Sequence, residues 1–158
     1  MEREKIQDFT RRLSTCNSGQ MIVIIYDIYF AYASDAEAAL MAEDYDLFKF
    51  SIHKAQQVLT RLIEDLDFAY PISGNLYQIY VFSRNALSRA LYERRPDGIA
   101  DAKKVLMQLY AGFVEAAKQD HSGPLMHNTQ QVYAGMTYGR TDLTENYREM
   151  DQDRGFLE

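Results

Sequence analysis

Three histidines and one cysteine are the side chains in this sequence best suited to metal binding or nucleophilic catalysis. A carboxylate di-metal centre in a helical bundle requires Glu-x-x-His pairs on two facing helices. The residues three positions before His53, His121 and His127 are phenylalanine, lysine and proline, so the sequence lacks such pairs. Cys16 has no histidine beside it, and the sequence contains neither a phosphate-binding glycine loop nor a Gly-x-Ser-x-Gly turn. The sequence therefore predicts no catalytic residue, no cofactor and no metal site.

The most unusual segment is the apolar run 21–33, in which Asp27 is the one charged residue among thirteen positions. A helix that is apolar on all sides has to be covered on all sides. Thirteen residues are too few to cross a bilayer, which takes roughly 18 or more, so we expect no membrane insertion. The run therefore predicts a helix whose surplus apolar face is covered by another part of this chain or by a partner. Asp27 is predicted to face a polar edge or to cap the donors of a neighbouring helix.

Composition favours one compact body with its own core. The chain has 158 residues, of which 47% are apolar. A net charge of -6 and an isoelectric point near 5.1 argue against nucleic-acid binding and against charge-driven attachment to acidic lipid. A single cysteine excludes internal disulfides, and no secretory leader opens the sequence, so we expect a cytoplasmic protein.

Four segments with helical spacing of apolar residues are separated by turn signals. The first is predicted to begin at Asn17, with Gln20 completing a capping box, and to run to about residue 43. The second begins near Asp44 or Asp46 and ends at Tyr70, which precedes a proline. Its predicted core seam consists of Phe48, Ile52, Ala55, Leu59, Leu62 and Leu66.

The third and fourth segments are separated by the breaking sequence 94–98, and the fourth ends before Pro124. Short connections make neighbouring helices antiparallel. The sequence therefore predicts an all-α protein, an antiparallel four-helix bundle over residues 1–120 with a C-terminal extension over 121–158. Within the bundle domain, residues 1–16 are expected to form a short amphipathic helix that docks as an N-terminal cap.

The extension is polar and acidic apart from one apolar cluster. From residue 120 onward seven acids stand against three arginines, a net charge of -4, which leaves -2 for the rest of the chain. The apolar cluster is predicted to lie back reversibly on the bundle, over surface that a partner otherwise uses, and the alternative is a contact with an export gate or a second cargo contact. The cluster consists of Val132, Tyr133, Met136 and Tyr138.

Three motifs in register resemble those of the FliS family of flagellar secretion chaperones. Residues 23–27 read Val-Ile-Ile-Tyr-Asp, residues 54–59 read Lys-Ala-Gln-Gln-Val-Leu, and residues 75–80 read Asn-Leu-Tyr-Gln-Ile-Tyr. They are similar to the family's (L/I)-Y-D, K-A-Q-x-(I/V)-(I/L) and N-L-x-x-(L/I)-Y motifs, in the same order and at the same spacing. The resemblance covers residues 6 to about 119, and the remaining tail lies outside the usual family length.

The resemblance implies a helical bundle that binds the C-terminal segment of newly made flagellin, prevents its polymerisation and delivers it to the export machinery. We expect a monomer alone and a 1:1 complex with cargo. Members of the family also cover part of the empty groove with their N-terminal segment, a role that falls here to Ile6, Phe9 and Leu13. A tyrosine is common at the position of Phe9, so this chain keeps the ring and loses the hydroxyl.

Flagellin is expected to contact the surplus face of the first long helix and outward apolar positions of the others. Two alternatives stay open: a chaperone for another flagellar export cargo, such as a hook-associated protein, and a structural bundle that buries the same face by self-association. An obligate dimer would indicate the structural bundle. The predicted partner-binding residues are Met21, Ile24, Ile28, Tyr32, Val58, Tyr77, Val81, Val105 and Val114.

Overall fold

Five helices and their short connections make up residues 1–126, which are the residues that the computed structural model describes. The helices are α1 Arg3–Thr15, α2 Ser18–Met41, α3 Tyr45–Glu64, α4 Ser73–Glu93 and α5 Asp97–Gln119. Helices α2 to α5 form a bundle in which α2 and α4 each pack against both α3 and α5, while α1 packs on α2. This confirms the predicted all-α bundle with an N-terminal helical cap.

The predicted starts of α2 and α3 are confirmed by their caps. The Asn17 side chain accepts a hydrogen bond from the Gln20 N–H at 2.8 Å, and the Gln20 side chain accepts one from the Asn17 N–H at 3.1 Å. At the start of α3, the Asp44 carboxylate accepts from the Leu47 N–H at 3.0 Å. Both caps satisfy N–H groups that a helix start leaves without partners.

The end of α3 differs from the prediction, because the helix stops at Glu64 and does not reach Tyr70. The chain turns around Asp67, whose carboxylate accepts a hydrogen bond from the Ala69 N–H at 2.9 Å. The Ser73 hydroxyl then donates to the Asp67 carbonyl at 2.5 Å. Such local side-chain bonds compete with helix formation, which explains the earlier end.

The core lies between the four long helices and is rich in aromatic side chains. The predicted α3 seam is buried from Phe48 to Leu62, and Leu66 is half-buried. The Tyr26 and Tyr80 hydroxyls share a hydrogen bond of 2.9 Å in this core. Burial raises the pKa of both tyrosines, because the charged phenolate would lose its solvation. These two groups therefore stay neutral at physiological pH.

The apolar run of α2 is largely covered by other parts of the chain, although most of its residues are half-buried rather than buried. Among residues 21–33, Met21 is the most exposed, with 36% of its surface open to solvent, and the other twelve are half-buried or buried. Helices α1, α3 and α5 supply the cover. No helix within residues 1–126 has both the length and the apolar character needed to cross a membrane.

The segment that follows α5 is bonded to the start of α2. The Gly19 N–H donates to the Asp120 carboxylate at 2.8 Å, and the Asn17 amide donates to the Asp120 carbonyl at 3.0 Å. Hydrogen bonds from Ser122 and from Gly19 lower the pKa of Asp120 below its ordinary value. Further on, the Leu125 N–H donates to the Cys16 carbonyl at 3.0 Å.

The boundary predicted at residue 120 stays a prediction. The predicted apolar cluster of the tail, from Val132 to Tyr138, lies outside the described residues.

Candidate functional site

A groove lies between α1, the first half of α2 and the end of α5, with a volume of about 410 Å³. Its apolar lining comes from Val23 and Ile24 of α2 and from Val114 and Ala117 of α5. Polar and charged side chains stand around this lining. The groove is lined by Arg12, Thr15, Cys16, Gln20, Val23, Ile24, Val114, Ala117 and Lys118.

Helix α1 forms one wall of the groove without entering the core. It runs antiparallel along α2, with the Met1 nitrogen 2.7 Å from the Asp35 carboxylate, and no residue within it is buried. Ile6 is 48% exposed, while Phe9 and Leu13 are half-buried. The α1 side chains that line the groove are Arg12 and Thr15, so the groove-covering role of the three predicted residues stays a prediction.

Asp27 joins α1 and α5, and its α1 partner, Arg12, lines the groove. Its Oδ2 atom lies 2.5 Å from Nη2 of Arg12, and its Oδ1 atom accepts a hydrogen bond from the Tyr110 hydroxyl at 2.8 Å. The hydrogen bond to Asp27 raises the pKa of Tyr110. The carboxylate is therefore bound by side chains from neighbouring helices at a partly exposed position, which agrees with the predicted polar edge and not with the predicted capping of helix-end N–H groups.

The structure places the predicted partner-binding residues of α2 at different depths. Ile24 is buried, with 3% of its surface exposed, because α1 and α5 cover the face that the sequence left without a partner. Met21 is exposed, and Ile28 and Tyr32 are half-buried further along the helix. Ile24 and Val114 are the two predicted residues that line the groove.

The other predicted residues lie on the remaining helices, away from this lining. Val58 is half-buried and packs against the core. Val81 and Val105 are half-buried on α4 and α5. Tyr77 is 43% exposed and stacks edge-on against Phe68, with ring centroids 6.0 Å apart.

Sequence reasoning missed several residues of the groove. Arg12 was not singled out, although an acid within an apolar run signals that a nearby cation has to pair with it. Val23 and Ala117 were also missed, because their exposure to a groove depends on where α1 lies. An exposed apolar patch beside Tyr77 was missed as well, and consists of Phe68, Tyr70 and Ile72.

The groove combines a buried cysteine, an apolar lining and two cationic side chains. Cys16 in its lining is buried, and its thiol donates a hydrogen bond to the Leu13 carbonyl at 3.3 Å. Within residues 1–126 no three His, Cys, Asp or Glu side chains stand close enough together to hold a metal ion. What the groove offers is an apolar surface beside the cations Arg12 and Lys118, of which Arg12 also pairs with Asp27.

Comparison with known proteins identifies the family to which this architecture belongs. No curated protein matches the chain. A family model described as "Flagellar protein FliS" matches residues 3–120, from the first residue of α1 to just beyond the end of α5. Because the match covers most of the chain, the protein belongs to the FliS family of flagellar proteins.

Proposed function

We propose that this flagellar export chaperone binds the C-terminal segment of flagellin in the cytoplasm, prevents its polymerisation and assists its delivery to the flagellar type III export apparatus. Membership of the FliS family implies an export chaperone. The observation that supports a cargo interface on this chain is the groove beside α1, because it combines an apolar lining with a cover that is not part of the core.

The groove fits an amphipathic helix as its occupant. In helix-in-groove recognition, apolar residues spaced three and four apart enter an apolar cleft while polar residues stay at the edge. Val23, Ile24 and Val114 supply that cleft here, and Arg12 and Lys118 stand at its edge. A cargo helix in this position would replace the layer that α1 now forms over α2.

The cover is attached weakly enough for cargo to displace it. Arg12 is 37% exposed and Asp27 is 23% exposed in their ion pair, so solvent screens the attraction. Pairs of this kind contribute roughly 0–1 kcal/mol. An isolated helix of about thirteen residues is marginal in water, and α1 buries none of its residues fully. Displacement of α1 therefore breaks two ion pairs, Arg12 with Asp27 and the Met1 nitrogen with Asp35, and removes no fully buried side chain of α1.

The proposal is tested by measuring the size of the chain and of its complex. Light scattering during gel filtration should show a monomer alone and a 1:1 complex with the flagellin of the same organism. Flagellin that lacks its C-terminal segment should not bind. An obligate dimer that ignores flagellin would indicate the self-associating bundle, and binding of a hook-associated protein in preference to flagellin would indicate another cargo.

Deletion of residues 2–14 should raise the affinity for flagellin without unfolding the bundle. The deletion removes the competing cover and the Arg12–Asp27 pair, so we expect a gain of roughly fivefold, which corresponds to about 1 kcal/mol. Calorimetry measures the affinity, and binding of a hydrophobic dye reports the uncovered groove. Loss of the helical circular dichroism signal on deletion would show that α1 is needed for folding and would contradict the displacement of α1.

A further inference from the structure

We infer that Asp27 determines which cargo helices the groove accepts, by pairing with a lysine or arginine on the cargo once α1 has been displaced. The inference rests on the proposed function, since it requires a cargo helix on the surface of α2 and α5 that α1 borders in the free chain. It adds a chemical requirement to that function: the cargo helix has to carry a cation within its apolar face.

The requirement follows from the two partners that Asp27 has in the free chain. Tyr110 occupies Oδ1, and Arg12 of α1 occupies Oδ2. When α1 leaves, Oδ2 loses its cation while the Tyr110 hydroxyl remains in place. A cargo helix that covered this carboxylate without offering a new donor would bury an unpaired charge, which is strongly unfavourable.

Helix α1 shows which side-chain pattern can neutralise the Asp27 carboxylate from the side of α2 that α1 covers. The Arg12 guanidinium reaches Asp27 and also lies 5.7 Å from the centre of the Phe9 ring. Phe9 stands three positions before Arg12, and Leu13 directly follows Arg12. Phe9 and Leu13 are both half-buried. A cargo helix with a large apolar residue three positions before a basic residue would reproduce this arrangement. The expected partner is therefore an apolar helix that carries one lysine or arginine three positions after a large apolar residue.

Two substitutions break the same ion pair from opposite sides and separate this role from simple attachment of α1. Arg12→Gln frees α1 and leaves the Asp27 carboxylate available to cargo. Asp27→Asn also frees α1, and its amide oxygen still accepts the Tyr110 hydrogen bond, but the negative charge is lost. If the pair only attached α1, both variants would bind flagellin more tightly and to the same extent.

The sharpest comparison is between Arg12→Gln and the double variant Arg12→Gln/Asp27→Asn, because α1 lacks its ion pair with Asp27 in both. We expect the double variant to bind flagellin about tenfold more weakly, a typical effect for loss of a partly desolvated charge pair. The difference should shrink as salt is raised, since salt screens charge pairs and the Arg12–Asp27 pair that cargo would replace is itself partly exposed. Equal affinities of the two variants would overturn the inference.

Substitutions in the cargo complete the test and do not depend on the fold of the chaperone. Each lysine and arginine in the C-terminal segment of flagellin is replaced singly by glutamine and titrated against both variants. One replacement should weaken binding about tenfold to Arg12→Gln and leave binding to the double variant unchanged. If no replacement does so while flagellin still binds, Asp27 has no such role and the proposed function stands. If wild-type flagellin does not bind at all, the proposed function itself fails.

Discussion

Ile24→Asp is expected to lower the affinity for flagellin by about a hundredfold or more. Ile24 lies in the apolar lining of the groove between Val23 and Val114 and is 3% exposed. A cargo helix over this lining would exclude water from the new carboxylate. Burial of an unpaired charge costs several kcal/mol, and a hundredfold loss of affinity corresponds to only about 2.7 kcal/mol.

The free chain should tolerate this substitution better than the complex does. Arg12 and Lys118 line the groove together with Ile24, so the free chain offers the new carboxylate two nearby cations, and displacement of α1 by cargo removes one of them, Arg12. Because Ile24 is buried and not on a solvated face, some loss of stability is still expected. Thermal melting followed by circular dichroism should show a folded protein at the temperature of the binding experiment.

Met41→Asp provides the matched control for Ile24→Asp. Met41 ends the same helix and is 87% exposed, about 25 Å away along the helix axis. The Met41→Asp substitution should leave the affinity for flagellin nearly unchanged. Calorimetry that gives the same affinity for Ile24→Asp and for the wild type, with both chains folded, would remove Ile24 from the interface. If the aspartate unfolds the chain, Ile24→Ala answers the same question with a smaller expected loss.

Gly98→Ala is expected to destabilise the bundle by about 2–3 kcal/mol. Gly98 lies in the first turn of α5, where a Cβ atom would stand 2.1 Å from the Ala86 carbonyl oxygen and 3.1 Å from Cβ of Ala90. A backbone oxygen cannot turn aside as a flexible side chain can, so α4 and α5 would have to move apart. Added atoms in a well-packed core typically cost about 1–3 kcal/mol, and so short a contact favours the upper part of this range.

Gly112→Ala separates this steric effect from the general effect of adding a methyl group to α5. Gly112 lies within the same helix and is exposed, and a Cβ atom added to it would meet no neighbouring atom within 4 Å. Alanine stabilises a helix by roughly 0.8–1 kcal/mol relative to glycine. The urea concentration at the midpoint of unfolding should therefore fall for Gly98→Ala and rise for Gly112→Ala. If the midpoint of Gly98→Ala is not lower than that of Gly112→Ala, the tight α4–α5 contact is contradicted.

Much of the fold was predictable because its signals lie within single segments. The capping box at Asn17, the cap at Asp44 and the seam from Phe48 to Leu62 each depend on residues a few positions apart in the chain. Helical periodicity and turn residues encode such features directly. The three family motifs are also local, and together they identified the family that the match over residues 3–120 shows. The end of α3 was missed because hydrogen bonds around Asp67 replaced helical ones.

The candidate site depended on contacts between segments that are distant in sequence. The sequence alone determined that the apolar run of α2 needed a cover and that Asp27 needed a polar partner. Only the tertiary structure decided that α1 supplies part of that cover, that Ile24 is therefore buried, and that Asp27 is shared between Arg12 and Tyr110. Periodicity shows which face of a helix is apolar, but the neighbour that covers the face is selected by the packing of all five helices at once.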